Sequence, residues 1–126
     1  MFNNMFFTNN VLASAMQATQ LRNNIISHNI ANVNVPAFNR SVVEFENHLR
    51  NEIDRAARRG ERINLNNVNP QIVVQTEPIA LRTDGNNVDI EAEMIALTQN
   101  ATRYEVMSIS VMNNYRRINS VLNSNI

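Results

Sequence analysis

VDIEAEMIALTQNATRYEVMSISVMNNYRRINSVLNSNI, residues Val88–Ile126, decides how this chain folds. One apolar row in it runs through Met94, Leu97, Ala101, Tyr104, Val111, Tyr115, Ile118 and Leu122, and only Ser108 interrupts its alternation of three- and four-residue steps. That spacing is the seam of one helix laid along another. Gly and Pro are absent from the run, and Asp89 followed by Glu91 and Glu93 offers an N-cap and a first turn of the sign the helix dipole favours. At 1.5 Å per residue, the span from Ile90 to Leu122 is about 50 Å long. A compact globule made from the whole chain is only about 36 Å across. The helix therefore needs a partner of similar length, from its own chain or from other copies.

The near end of the chain offers one. Val11, Ala15, Ala18, Leu21, Ile25 and His28 recur at helical steps, and Leu12, Met16, Ile26 and Ile30 widen the stripe. The small residues Ala13, Ser14, Ala15 and Ala18 let a neighbouring helix come close. The expected start is Thr8 or Asn9, either of which can cap, and the expected end is Ala31 or Asn32. Asn32 takes the left-handed, helix-ending position, and Val35 before Pro36 is pushed to extended geometry. The expected contacts run from Val11, Ala18, Leu21 and Ile25 to Leu97, Ala101, Tyr104, Val111, Ile118 and Leu122, with Asn29, Asn32 and Pro36 forming a junction.

Between these helices the pattern is weaker. Residues from Pro36 to about Asn47 read as extended. Glu46–Arg59 reads as a short charged helix through Phe45, Leu49, Ile53 and Ala57, ended by Gly60. Pro70 and Pro78 bracket Ile72-Val73-Val74, an expected edge strand, and a second strand is expected at Ile79–Arg82 before the Asp84-Gly85 turn. The two strands are read either as a small sheet or as a mobile loop. The fold class is mainly α: an elongated coiled coil of residues 1–33 and 88–126, with a partly extended or mobile middle segment, 34–87.

Composition narrows the function. Eleven basic and eleven acidic residues balance to zero net charge, so no global field draws the chain to nucleic acid or to an anionic membrane. Arg55, Arg58, Arg59 and Arg62 are interleaved with Glu52, Asp54 and Glu61, and no aromatic lies among them, so they read as an ion-paired solvated face. The lack of Cys removes disulfides and thiolate chemistry, and no apolar run reaches the roughly 20 residues that cross a bilayer. Direct membrane insertion is not expected. Phe6, Phe7, Val11, Leu12 and the Ala13-Ser14-Ala15 triplet imitate a signal peptide, but no basic residue precedes them and Thr8-Asn9-Asn10 splits them. They read as mature protein, so any export is expected by a route that cleaves no signal. His28 and His48 have no acidic partner at a catalytic spacing, no Ser lies in a nucleophile elbow, and two Gly build no phosphate loop. In Asp84–Asp89 a faint calcium-loop pattern fails, because Val88 stands where an oxygen ligand is needed. Neither catalysis nor a metal or cofactor is expected.

Two runs are specific enough to carry a resemblance. Ser27-His28-Asn29-Ile30-Ala31-Asn32-Val33-Asn34-Val35-Pro36-Ala37-Phe38 resembles the signature S-x-N-I-A-N-x-x-T-P-G-Y of the axial proteins of the bacterial flagellum. Ser27, Asn29, Ile30, Ala31, Asn32 and Pro36 match, whereas Val35 stands for Thr, Ala37 for Gly and Phe38 for Tyr. Ala37 lacks the ease with which Gly takes a positive φ. Asp84–Met94 is similar to the family's entry into its C-terminal helix. A chain this short, without a large insert, looks like the family's proximal rod subunits. The resemblance implies a helical coiled-coil domain built from both termini and polymerisation into a rod. It also implies contacts with other copies and with other rod and basal-body proteins, and passage through the flagellar export apparatus into the periplasmic rod. The rival readings are another flagellar axial protein or a soluble helical interaction module such as an export chaperone or adaptor.

Overall fold

The computed structural model describes residues 2–77 and 82–123, with side chains from residue 6 onward. The elements are α1 (Phe2–Ala31), β1 (Ser41–Glu44), α2 (Glu46–Arg59), a 3₁₀ turn (Leu65–Asn67), β2 (Gln71–Val74) and α3 (Ile90–Asn123). α1 and α3, at 30 and 34 residues, are about 45 and 50 Å long. They lie side by side and antiparallel. Asn114 meets Asn9, Asn100 meets Thr19 and Glu93 meets Asn29, one number falling as the other rises.

α1 begins earlier than Thr8 or Asn9, because it runs from Phe2. No Gly or Pro lies in Phe2–Asn10 to stop it, and the Asn9 side chain, a capable cap, is committed elsewhere: its Oδ1 accepts from Asn114 Nδ2 at 2.9 Å. α3 starts as its sequence implies, with Asp89 Oδ1 accepting from the backbone N–H of Glu91 at 2.9 Å and of Ala92 at 3.3 Å.

The middle segment forms a small lobe against α1. β1 and β2 pair antiparallel with Ser41 opposite Val74 and Val43 opposite Ile72. The partner of the Ile72–Val74 strand is thus the extended stretch before α2, while residues 78–81, which contain most of the second expected strand, lie outside the described residues. Phe45 and Val68 are buried with Ala18 of α1, flanked by Ala15 and Leu49. Arg22 of α1 clamps the lobe, donating to the Val43 carbonyl at 3.2 Å and to both oxygens of Glu46 at 2.9 and 2.7 Å.

α2 buries a different stripe from the one apolarity suggests. Ala56 and Glu52 face inward, whereas Ile53 and Ala57 are exposed. Glu52 belongs inside because it organises the return of the chain after Gly60, whose φ of 64° ends the helix. Its carboxylate accepts from Arg55 Nε and Nη2 at 2.9 and 2.6 Å and from the backbone N–H of Asn64 at 2.9 Å. These bonds, Arg55 first and then Asn64, hold its pKa at about 2 against an ordinary 4.5. The pKa is lowered on folding, so this contribution to stability is complete above about pH 4.5 and disappears as pH falls through about 2. Thermal melts of the wild type and of Glu52→Gln across that window should converge as the pH drops. Parallel curves would show that ionised Glu52 adds nothing to stability.

Candidate functional site

The two signature runs meet at one end of the helical pair. Asn29, in the last turns of α1, is fully buried. Its Nδ2 donates to the Ser41 carbonyl at 2.8 Å and its Oδ1 accepts from the Ser41 N–H at 3.0 Å, so an amide side chain pairs with the first residue of β1 much as a strand would. The same Nδ2 also donates to Glu93 Oε2 at 3.1 Å. Glu93, likewise 0% exposed, takes a second, charged bond from Arg40 Nε through its other oxygen. α1, β1 and α3 are therefore tied through a single buried carboxylate.

Beside this node the second run plugs the turn of the first. Asn86 is 1% exposed, and its Nδ2 points at three backbone carbonyls, those of Asn32, Val33 and Val35, at 3.0, 3.1 and 2.8 Å. Its Oδ1 accepts from the Val88 N–H at 2.8 Å. Asn87 does similar work one residue on. Its Nδ2 donates to the carbonyls of Gln75 and Glu77 at 2.6 and 3.0 Å, and its Oδ1 accepts from the Arg40 N–H at 2.6 Å. Asn86 and Asn87 thus spend their side-chain amides on the chain's own backbone.

The turn corrects the conformation expected of Asn32. Among the described residues Ala37 is the only non-glycine with positive φ, at 58°, so Asn32 is not left-handed. Asn32 instead donates through Nδ2 to the His28 carbonyl at 2.7 Å, closing the helix end with its side chain. Pro36 is exposed in the turn beyond it. Ala37 is held in place by its N–H bond to the Asp84 carbonyl at 2.9 Å and lies under Gly85, where an added Cβ would be in ordinary contact with Ala37 Cα at 3.6 Å. A left-handed alanine costs about 1–2 kcal/mol, of which glycine's greater unfolded freedom returns roughly half. Ala37→Gly should therefore raise stability by about 0.5–1 kcal/mol, read as a higher denaturant midpoint at unchanged slope. A lower midpoint would show that the turn is unstrained.

Along its length α3 carries two overlapping seams. The inner one, facing α1, runs through Glu93, Leu97, Asn100, Tyr104, Met107, Val111, Asn114 and Ile118, and Asn100 Nδ2 donates to the Thr19 carbonyl at 2.8 Å. The outer one replaces four of these by Met94, Ala101, Ser108 and Tyr115 and continues to Leu122, and it contains every seam residue read from apolarity alone. Met94, Ala101, Tyr115 and Leu122 are exposed, Tyr115 at 72% and Leu122 at 64%.

Residues 10–38, from the body of α1 to the end of its turn, match the flagella basal body rod protein family. Over 120 residues the chain is 34% identical to the flagellar basal body rod protein FlgB of Borrelia hermsii, covering 85% of this chain and 89% of that one. The chain belongs to the FlgB family. FlgB of Borreliella burgdorferi is 31% identical over 121 residues, with 85% of this chain and 89% of that one covered. FlgB of Bacillus subtilis is 26% identical over 115 residues, with 88% and 89% covered.

In this FlgB-family chain the residues read from sequence divide between two places. Ala18 and Asn29 are buried, and Val11, Leu21, Ile25, Leu97, Val111 and Ile118 are half-buried along the helical pair. Asn29 and Asn32 belong to the junction, whereas Ala101, Tyr104 and Leu122 are exposed. Sequence reading passed over Arg40, Asn86, Glu93, Asn100 and Asn114. Its one usable signal was the heptad interval that relates Glu93, Asn100 and Asn114, masked because apolar residues alone define a stripe.

Proposed function

We propose that this chain is a structural subunit of the proximal rod of the bacterial flagellar basal body and that it polymerises through its terminal helices. The observation that carries the reading is the outer seam of α3, a heptad row whose residues Met94, Ala101, Tyr115 and Leu122 the chain's own α1 leaves exposed, in a member of the FlgB family. A seam of this kind is a helix-binding surface. Residues 1–33 and 88–126 supply the assembling part and 34–87 the lobe. Its partners are other copies and other rod and basal-body proteins, with Ala101, Tyr104 and Leu122 as contacts outside the chain and Asn29, Asn32 and Pro36 as the support that fixes α3's angle. The chain reaches the periplasmic rod through the flagellar export apparatus without a cleaved signal, in keeping with the polar Thr8-Asn9-Asn10 that breaks the apolar run.

Tyr115→Asp tests the reading. Because Tyr115 is exposed, the substitution should leave the folded chain within about 0.5 kcal/mol of wild type. Copies carrying a carboxylate in the seam should nonetheless be missing from purified basal bodies, and cells depending on them should not swim. Normal swimming and normal incorporation would show that the outer seam faces solvent in the rod.

A further inference from the structure

α1 lies on the less apolar of the two seams. Leaving aside the positions they share, the inner seam offers Glu93, Asn100, Met107 and Asn114, and the outer one Met94, Ala101, Ser108 and Tyr115. By apolar burial alone α1 should sit on the outer seam, which a rotation of α3 by about 50°, half of one residue's turn, would bring round. We propose that Glu93, Asn100 and Asn114 form a polar ladder that selects the seam α1 occupies and so keeps the apolar seam open.

Each rung bonds to a different level of α1: Glu93 to Asn29, Asn100 to the Thr19 carbonyl and Asn114 to Asn9. A rotation of α3 breaks all three together, leaving one buried N–H of Asn29 without an acceptor. The middle rung shows that selection, rather than stability, is its use. Asn100 Oδ1 is buried and finds no hydrogen-bond partner among the described residues, an uncompensated cost that largely cancels the bond its Nδ2 makes. An apolar residue there would bind α1 at least as well but would leave the choice between seams to apolar area alone. One polar side chain at a seam position is known to fix helix register at a cost in stability, and here three such positions act along one pair.

The test uses the full chain, which has no Cys, with a single reporter thiol at Ser108→Cys or Ala101→Cys. Both positions belong to the outer seam. In the otherwise wild-type chain the thiol at 101 should react with a maleimide at close to the rate of a free thiol. Combining Glu93→Ala, Asn100→Ala and Asn114→Ala removes the rungs without adding apolar area, so α1 should move to the outer seam and slow labelling at both reporters at least tenfold, with helicity retained. A folded triple variant with unchanged labelling overturns the proposal. Unfolding of that variant overturns it too, because a competing seam able to hold α1 is what the ladder selects against. Replacing the same three residues by Leu makes the inner seam the more apolar, and its labelling should stay at the wild-type rate; protection there would mean that apolar area does not steer α1 at all. None of these outcomes depends on the rod reading, which is tested by incorporation into basal bodies.

Discussion

Asn86→Asp should lower the stability of the chain by about 4 kcal/mol, the largest effect expected from one conservative change. The substitution replaces an Nδ2 donor by a carboxylate oxygen facing the carbonyls of Asn32, Val33 and Val35 at about the same 3 Å. Those carbonyls lose a donor that is itself buried, at about 1–3 kcal/mol for an unsatisfied buried group, and an added negative charge faces three oxygen dipoles. In a domain of this size about 4 kcal/mol corresponds to a fall of roughly 12–20 °C in the thermal midpoint. Asn86→Ala, without the charge, should fall about half as far. Equal and small shifts for both variants would mean that the turn is satisfied by solvent rather than by Asn86.

The second large effect is at Glu93. Glu93→Ala leaves Arg40 without its counter-charge and one buried N–H of Asn29 without an acceptor, its bond to the Ser41 carbonyl remaining. Removing one member of a buried pair costs about 3–5 kcal/mol, and the lower figure applies because Arg40 is partly exposed and already donates through Nη1 to Gln75 Oε1. The diagnostic is the double variant. With Arg40→Ala also present, part of the loss should return, since much of it comes from the stranded guanidinium rather than from the absent bond. Strictly additive losses, measured by urea unfolding of the four chains of the cycle, would show that the two side chains do not interact.

These polar contacts explain which parts of the molecule could be read in advance. The two long helices, α2 and the strand at Ile72–Val74 follow from periodicity and from the residues that stop them, because such signals are local. The rotation of α3 does not. It depends on Glu93 and Asn100, polar residues that are buried only because Asn29 and the Thr19 carbonyl wait for them 64 and 81 residues away. The same thing happens on α2, where buried Glu52 displaces Ile53 from the inner face. Asn32 failed differently. Asn at a helix end suggested a left-handed residue, yet the positive φ fell on Ala37, in the place where the family signature has Gly. The motif thus located the strained residue better than intrinsic preference did, because the Ala37 N–H is tied to the Asp84 carbonyl of the second signature run, 47 residues on.

The central claim is that one chain folds as an antiparallel pair of terminal helices, locked where its two signature runs meet, and stands in that form in the rod. A cryo-electron microscopy reconstruction of purified basal bodies tests it most directly. Density for this chain at the base of the rod should show helices of about 45 and 50 Å running antiparallel within one subunit, with Met94, Ala101, Tyr115 and Leu122 against a neighbouring subunit's helix. A rod without the chain, or a subunit whose two helices separate to pair with different neighbours while the outer seam faces solvent, would contradict it.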